Sequence, residues 1–337
     1  MTPRRYSSQT CSVETCARWL VALAFFIGGL FVAEIPERAL ALDPAISRAV
    51  HADLTHGRAD DGISRLRPAL QQDPRDAEAH NLLCRIFFAE ERWDDAVHEC
   101  EAATREAPQS SEYHMWLGRA YGEKASRVSF VSAYRMGQRV RSEFETAVAR
   151  DPRNAEALAD LGEFYSEAPS VVGGGTDKAD EVVRKMEPLD PARAHELKGR
   201  IAAQRKDPAA AEAEFKAAIR VSRAPAASWT VLASFYRKQQ RWDDMMQAIR
   251  SAIAADKDHG VASGYAASVL VKANREPALA IRLLESYLAS PKQSEELPVF
   301  VAQVRLGRLL QQQGDKQAAQ QQFEAARALA HEYRGLP

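Results

Sequence analysis

The sequence predicts an all-α protein made of repeated helix pairs, and three observations carry that prediction. Hydrophobic residues make up 46% of the 337 residues and charged residues 27%, a composition typical of folded rather than disordered chains. The 17 glycines and 16 prolines are too few for a loop-rich β protein. A phrase of alanine, leucine and Asp-Pro recurs at intervals of about 34 residues, as in helical repeat arrays. We therefore expect a repeat array rather than separate globular domains.

The N-terminus has the three parts of a secretory signal peptide. Basic residues up to Arg18 precede an uncharged apolar segment, residues 19–33, and the small-residue site Ala39-Leu40-Ala41 follows. As a helix, the apolar segment would be about 22 Å long, shorter than the ~30 Å hydrocarbon core of a bilayer. We expect residues 1–41 to be a signal peptide and the remaining chain, 42–337, to be exported, in the periplasm.

The same segment also fits a second interpretation, an uncleaved anchor in the inner membrane. The long leader before residue 19 and the polar stretch after residue 33 favour it. Apart from this segment, charge gives no reason to expect membrane or nucleic acid contact. The chain has 45 basic and 46 acidic residues, so its formal net charge is -1.

The repeat unit is a pair of helices, each with its own pattern. The second helix carries alanine, phenylalanine and alanine at fixed spacing, as at Ala211, Phe215 and Ala218, and a proline such as Pro108 or Pro152 ends several units. The first helix carries the mark Trp116-Leu117-Gly118 with Tyr121, and related marks recur. The units are expected to begin near Asp43, Ala77, Ser111, Ala155, Ala192, Ala226, Val261 and Phe300.

This pattern resembles the tetratricopeptide repeat, W-x2-L-G-x2-Y followed by A-x3-F-x2-A and a proline. The resemblance covers nearly all of residues 43–333. A lengthened unit followed by a glycine-rich insert, described below, looks like a group of exported bacterial proteins of this kind. The resemblance implies a right-handed α-solenoid of about eight helix hairpins, because each hairpin alone leaves an apolar face exposed. It also implies a non-catalytic scaffold that binds a protein partner or an extended peptide in its concave groove. The alternative function is a membrane-anchored assembly or regulatory subunit of an envelope complex.

Two units depart from the repeat. The third, residues 111–154, is about ten residues too long, and an apolar stripe from Phe130 to Phe144 predicts lengthened helices. Its basic residues suit either a solvated helix face or a docking site for an acidic partner. In the fourth unit, residues 166–178 carry three glycines. We expect a turn there, with Thr176 or Asp177 capping a helix that begins near Lys178. Anion or peptide contact by that loop is the alternative.

No motif for catalysis, a metal or a cofactor stands out. There is no H-E-x-x-H, and no pair among the eight histidines has the spacing of zinc ligands on a helix. His80, His114 and His195 share the fourth position of their units, so packing between helices is their expected role. We therefore expect no enzyme activity, no metal and no cofactor.

The groove residues follow from the repeat register, since the ninth, twelfth and thirteenth positions of each unit should face the concave side. Basic residues predominate there, which predicts a groove that favours acidic segments of a partner. The candidate partner-binding residues are Arg85, Arg119, Glu163, Arg200, Arg237, Lys238, Lys272 and Arg308.

Packing predictions follow from the same register. Cys84 and Cys100 should lie one helical turn out of line, with Cα atoms ~9–11 Å apart, too far for a disulfide. Trp116 and Trp229 should be buried between helices, whereas Trp93 and Trp242 should be more exposed. The last helix should expose Gln320–Gln322 and bury Phe323 and Ala326, as the polar outer face of a terminal repeat requires.

Overall fold

A computed structural model describes residues 41–257 and 260–337, and these form eight antiparallel helix pairs with no β-strand. The expected signal or anchor segment lies outside the described residues. Within those residues, no helix combines the length and apolar character that a membrane crossing requires. The helices are α1 (Pro44–Thr55), α2 (Ala59–Gln72), α3 (Ala77–Ala89), α4 (Trp93–Glu106), α5 (Ser111–Ala125), α6 (Phe130–Arg150), α7 (Ala155–Glu167), α8 (Thr176–Met186), α9 (Pro191–Gln204), α10 (Pro208–Val221), α11 (Pro225–Lys238), α12 (Trp242–Ala255), α13 (Val261–Ala273), α14 (Pro277–Ala289), α15 (Val299–Gln312) and α16 (Lys316–Leu329).

Each unit begins within one residue of its predicted start, because local capping chemistry marks the first helices. The Asp76 carboxylate accepts a hydrogen bond from the Ala79 N–H at 2.9 Å and so begins α3. Asn154 caps α7 in the same way, and proline opens α9 and α11, where its missing N–H costs nothing. The all-α solenoid of eight hairpins is therefore confirmed.

Close contact between glycine and phenylalanine sets the packing inside several hairpins. A Cβ atom added to Gly199 would lie 2.9 Å from the Phe215 ring, and one added to Gly307 would lie 2.5 Å from the Phe323 ring. In both hairpins the two residues are 16 positions apart. Only a side chain without Cβ lets the ring of the second helix rest on the backbone of the first.

The predicted absence of a disulfide is wrong. Cys84 and Cys100 are bonded, with Cα atoms 5.2 Å apart and a sequence separation of 16. Cys84 takes the place that glycine has in other hairpins, and Cys100 takes the place of the phenylalanine. The two positions therefore face each other directly, and the offset of one turn that we assumed between α3 and α4 does not exist.

The lengthened third unit is confirmed as a long second helix, α6, of 21 residues. Its apolar stripe is buried only in part, since Val140 and Phe144 lie in the core whereas Phe130 is 85% exposed. Two of its arginines form ion pairs with neighbouring carboxylates. Arg139 pairs with Glu101, and Arg141 pairs with Glu145 one helical turn further on. Most of the basic stretch thus behaves as a solvated, locally paired face.

The glycine-rich segment of the fourth unit forms a turn, as predicted, but the expected cap is wrong. Gly175 is the N-cap of α8, and neither neighbouring side chain caps the helix. The Gly175 N–H donates instead to the Tyr165 carbonyl at 2.7 Å. Gly174 has a steric reason to be glycine, because a Cβ there would lie 1.8 Å from the Ala168 carbonyl oxygen. The turn is therefore fixed by backbone packing against the end of α7.

The array closes on itself, since its last residues contact its first hairpins. We call residues 290–298, between α14 and α15, the strap, and residues 330–337 the tail. In the strap, Gln293 hydrogen bonds to His56 at 2.9 Å. In the tail, His331 Nδ1 lies 2.6 Å from an Asp60 oxygen, and the Arg334 N–H donates to the Glu90 carbonyl at 3.2 Å. We call these contacts the closure.

Two further features lie at the closure: a turn with left-handed backbone at Gly57 and the buried carboxylate of Glu90. Gly57, in the turn between α1 and α2, has a φ of +64° and would place a Cβ 2.6 Å from the Val299 nitrogen. Glu90 is fully buried, and its ion-pair partner Arg92 also pairs with Glu332 of the tail. The first and last hairpins are thus neighbours in space.

The polar outer face of the last helix agrees with prediction. Gln320 and Gln321 are exposed, Gln322 is half-buried, and Phe323 and Ala326 are buried. The tail then continues into the closure, where Tyr333 is 6% exposed against Phe300.

Candidate partner-binding channel

A cavity of about 1150 Å³ lies between the N-terminal hairpins and the closing elements of the C-terminus. One wall comes from α3, α5 and α7, and the other from α13, the strap and α15. A second cavity, of about 660 Å³, lies along α7, α9 and α11. Arg119, Asp160 and Glu296 line both cavities, which therefore adjoin. We call the two together the channel.

Three aromatic rings form the N-terminal wall of the channel. Phe88 packs edge-on against Trp93 and Trp116, with centroid distances of 5.3 and 5.6 Å. Arg85 and Arg119 lie over the Trp116 ring at 5.2 and 4.7 Å, within range of a cation–π interaction. This wall offers an apolar surface with polar rims, the composition that suits an inserted side chain of a partner.

The tryptophan predictions hold only in part. Trp116 is buried as expected, but Trp229 is half-buried. Trp93 is as buried as Trp116, contrary to expectation, since Arg127 covers its ring at 4.4 Å and Phe88 its edge. Trp242 is half-buried.

Arginines predicted for the N-terminal part of the groove do line the channel, but they already have carboxylate partners. Arg85 forms two hydrogen bonds to Glu295 of the strap, at 2.9 and 2.6 Å. Arg119 donates to Asp160 at 2.6 Å. The burial of Asp160 raises its pKa, and Arg119 opposes that effect. Their charges are therefore largely neutralised within the chain.

The other predicted groove residues divide between the cavity walls and the ends of the helices. Arg200 lines the smaller cavity and pairs with Glu163 at 3.1 Å and with Glu167 at 3.2 Å. Lys272 lines the larger cavity. Lys238 lies 3.9 Å from Glu167, and Arg308 donates to the Gly335 carbonyl of the tail. Arg237, Lys238 and Arg308 line neither cavity.

The expectation of a basic groove does not describe the channel. Five basic and seven acidic side chains line the larger cavity, and four basic and five acidic side chains line the smaller one. Arginines of the first helices line the channel, but the carboxylates that face them come from other units and from the strap. A count along one helix face could not include those groups.

Several channel residues escaped the sequence analysis. Arg305 is at the sixth position of its unit, outside the positions we considered, and it donates to Ser268 Oγ at 2.6 Å. Tyr265 donates to Glu296 of the strap. The sequence signal for these residues was the length of the strap. Nine residues separate α14 from α15, whereas the connections between other consecutive hairpins are much shorter. A long connection near the concave side is a candidate groove element.

The repeated histidines tie the two helices of a hairpin together, as predicted. His80 Nδ1 lies 2.6 Å from Glu99, and Nε2 lies 3.0 Å from the Pro74 carbonyl. His114 bonds in the same way to Glu143 and Pro108. Because both ring nitrogens face acceptors, the protonated ring is favoured.

The pKa directions agree with that geometry. Burial is the largest effect on His80 and lowers its pKa, but the hydrogen bonds to Glu99 and to the Pro74 carbonyl, together with the nearby negative charges, outweigh it and raise the pKa of His80. The hydrogen bond to Glu143 raises the pKa of His114. His195 contacts Glu214 at 2.6 Å, the same tie in a third hairpin.

Helix hairpins stacked around a channel, with first helices on the inner wall, define a helical repeat scaffold of the protein-binding type. Models of the tetratricopeptide repeat match residues 53–120, 179–228, 197–260 and 301–330. These ranges together span more than half of the chain, which therefore belongs to the tetratricopeptide repeat family.

Solved structures of similar proteins include several tetratricopeptide repeat proteins. A thermophilic one from Thermus thermophilus is 18% identical, covers 57% of this chain and 97% of its own, and has a TM-score of 0.48. One from Parabacteroides merdae is 14% identical, covers 85% and 92%, and has a TM-score of 0.45. PilF of Pseudomonas aeruginosa is 17% identical, covers 77% and 95%, and has a TM-score of 0.40. No curated protein sequence matches this chain.

Proposed function

We propose that this chain is a non-catalytic scaffold of the cell envelope that holds a protein partner or an extended peptide in the channel. The observation that carries the proposal is the larger cavity, about 1150 Å³, with an aromatic wall on one side and the strap on the other. Tetratricopeptide repeat proteins in general are protein-interaction scaffolds. An extended peptide needs no more than such a channel and a few anchoring pockets.

One carboxyl group with a strongly raised pKa, that of Glu90, lies away from the channel. Burial raises the pKa of Glu90 to about 7, and Arg92 opposes that shift. A carboxyl with such a pKa suits acid–base chemistry only if a substrate reaches it. Glu90 is fully buried under the closure and lines neither cavity. Within residues 41–257 and 260–337, no cluster of histidine, cysteine, aspartate or glutamate has the geometry of a metal site.

The envelope location rests on the N-terminal sequence. A basic start, a short apolar segment and a small-residue site together support export. The intact mass of the protein from its native host tests this part. Loss of residues 1–41 supports the exported scaffold, whereas a full-length mass in the membrane fraction supports the anchored subunit.

Site-specific photo-crosslinking tests the partner-binding role. A photoreactive residue at position 156 replaces Glu156, whose side chain is half exposed in the channel wall. The matched control places the same residue at position 247, where Gln247 is exposed on the outer helix α12. We expect a discrete partner cross-linked from position 156 only. Equal labelling from both positions, or none from position 156, would contradict the proposal.

A further inference from the structure

The apolar surface that the fold leaves uncovered is concentrated in the two units that depart from the repeat. Five large apolar side chains are exposed in the part of the chain that the structure describes, and three of them lie in these units. Phe130 and Val131, at the start of α6, are 85% and 61% exposed. Val171, in the glycine-rich segment of the fourth unit, is 63% exposed. We call Phe130, Val131 and Val171 the apolar tip.

The start of α6 projects from the array. In three hairpins the ring of Phe144, Phe215 or Phe323 rests on a glycine of the first helix, which gives a common reference point. The helices α10 and α16 begin seven residues before that ring, whereas α6 begins 14 residues before it. At 1.5 Å per residue, α6 therefore reaches about 10 Å further than these second helices. Phe130 and Val131 thus stand at a convex point of the surface.

The glycine-rich segment packs beside the first turns of α6. A Cβ added to Gly137 would lie 3.1 Å from the side chain of Val172, which holds the neighbouring Val171 close to α6. Residues 168–175 contain no charged side chain. Two neighbouring turns of the array therefore present apolar side chains at the same edge.

Positive charge is gathered just behind the apolar tip. Residues 124–142 contain five basic and no acidic side chains, although the net charge of the whole chain is -1. Val131, Arg135 and Arg139 follow at intervals of four residues, about 6 Å along the helix, and so share one face of α6. Arg135 is exposed, and no carboxylate of the described residues lies within 4.0 Å of it. The helix therefore has an apolar end with uncompensated positive charge one turn behind it.

We propose that the apolar tip inserts into the surface of an anionic lipid bilayer. Apolar side chains at such a surface reach ~5–10 Å into the boundary between headgroups and acyl chains. Arginines about 6 Å behind them then lie at the level of the phosphate groups, with their aliphatic stems in the apolar layer. The order of side chains along α6 matches these two layers.

A bilayer fits this surface better than a folded partner does. A convex point with three apolar side chains buries much less area than a stable protein interface needs, whereas lipids rearrange around it. Each basic residue near an anionic surface adds about fivefold to the affinity, so the arginines supply what the small apolar area lacks. The contact goes beyond the proposed function, because the apolar tip lines neither cavity of the channel.

An environment-sensitive fluorescent residue tests the insertion locally. It replaces Val131, and the matched control places the same residue at position 247, on the outer helix α12. The protein is titrated with phosphatidylcholine vesicles that contain or lack phosphatidylglycerol. We expect the emission from position 131 to shift to the blue with the anionic vesicles, the more weakly the higher the salt concentration, and that from position 247 to stay unchanged.

The same titration names the results that would overturn the proposal. They are an unchanged emission from position 131 and an equal shift from both positions. A shift that follows protein concentration without vesicles would overturn it in favour of a second copy of the chain. Because the probe reports only its own surroundings, membrane attachment through residues 19–33 does not produce the expected pattern.

Variants that carry the probe at position 131 separate the apolar from the charged contribution. Phe130→Ser should weaken binding to anionic vesicles about tenfold, because most of the ring leaves water on insertion. Arg135→Gln should weaken it about fivefold. Arg250→Gln is the matched control, since it removes an exposed charge from α12. No loss from Phe130→Ser, or equal losses from the two arginine variants, would overturn the proposal.

Two further measurements keep these results interpretable. All three substituted side chains are exposed, so the melting temperature should not change. The photo-crosslinking at position 156 reports on the channel independently of the apolar tip, so failure of the one proposal is distinguishable from failure of the other.

Discussion

At the scale of single residues, one position shows how the family pattern can be filled by other chemistry. In several hairpins, a glycine on the first helix receives a ring from the second, as Gly307 receives Phe323. In the second hairpin, Cys84 and Cys100 occupy these positions and join covalently. The hairpin loses the packing of a ring and gains a cross-link in its place.

We expect the Cys84–Cys100 bond to contribute about 3 kcal/mol to the free energy of unfolding, the value typical of a closed loop of ~15 residues. Urea denaturation with and without reductant measures this difference. Cys100→Ala should reproduce the reduced state and become insensitive to reductant. Thiol counting on the denatured, unreduced protein should find neither cysteine free. Two free thiols would show that the bond does not form.

At the scale of elements, the histidine ties make hairpin stability depend on pH. A group whose pKa is raised on folding contributes stability that is complete below its unfolded pKa, ~6.5 for histidine, and that is lost as pH rises through the folded pKa. The raised pKa values of His80 and His114 therefore predict stronger hairpins at pH 6 than at pH 9.

A double-mutant cycle on His80 and Glu99 measures one tie. His80→Gln should remove part of the stability difference between pH 6 and pH 9, because the charged hydrogen bond at 2.6 Å is lost. Glu99→Gln should remove the same part, and the double variant should remove no more. Additive losses would mean that the two side chains act independently.

The sequence predicted the helices and their starting residues better than it predicted contacts between distant parts of the chain. Starts such as Ala77, Ser111 and Val261 agree with the structure, because caps and apolar periodicity are local signals. The prediction about the disulfide depended on hairpin register, and an assumed offset of one helical turn was enough to make that prediction wrong. The register is contained in the 16-residue spacing of Gly199 and Phe215, which Cys84 and Cys100 share.

The channel shows where prediction from sequence reached its limit. First-helix positions such as Arg85 and Arg119 line the larger cavity, and their role in binding stays a prediction. Their partners could not be predicted, since Glu295 is 210 residues from Arg85 and no repeat period relates the two. The closure could not be predicted for the same reason, because contacts between the first and last hairpins depend on the accumulated curvature of the array.

At the scale of the whole molecule, the closure depends on the close approach of Gly57 to Val299. A matched pair of glycine variants measures how much that contact contributes to stability. Gly57→Ala imposes a left-handed conformation on alanine and also places a Cβ 2.6 Å from the Val299 backbone. Gly314→Ala imposes a similar conformation, with a φ of +89°, in open space. We expect a loss of about 1–2 kcal/mol for Gly314→Ala and a clearly larger loss for Gly57→Ala, measured by thermal denaturation. Equal losses would show that Gly57 does not touch α15.

The closure should also tighten as the solution becomes more acidic. The pKa of Glu90 is raised to about 7, so its ionisation opposes folding at high pH, and the penalty disappears as pH falls from 7 toward its unfolded value of 4.5. Glu90→Gln should therefore stabilise the protein by up to about 3 kcal/mol at pH 8 and change little at pH 5. Hydrogen exchange in α2 and the tail at both pH values reports whether the gain lies at the closure. A variant that is less stable at pH 8 would contradict this account.

The closure has one more consequence, which concerns the order in which the chain is made. During synthesis the N-terminal hairpins emerge first, and their neighbours along the array follow within a few dozen residues. The surface around Gly57 and Glu90 is different, because the groups that contact it belong to α15 and the tail, which are made much later. Until the tail is made, its contacts with Glu90 and Arg92 cannot form. A ribosome that stops short of residue 330 therefore leaves the closure incomplete.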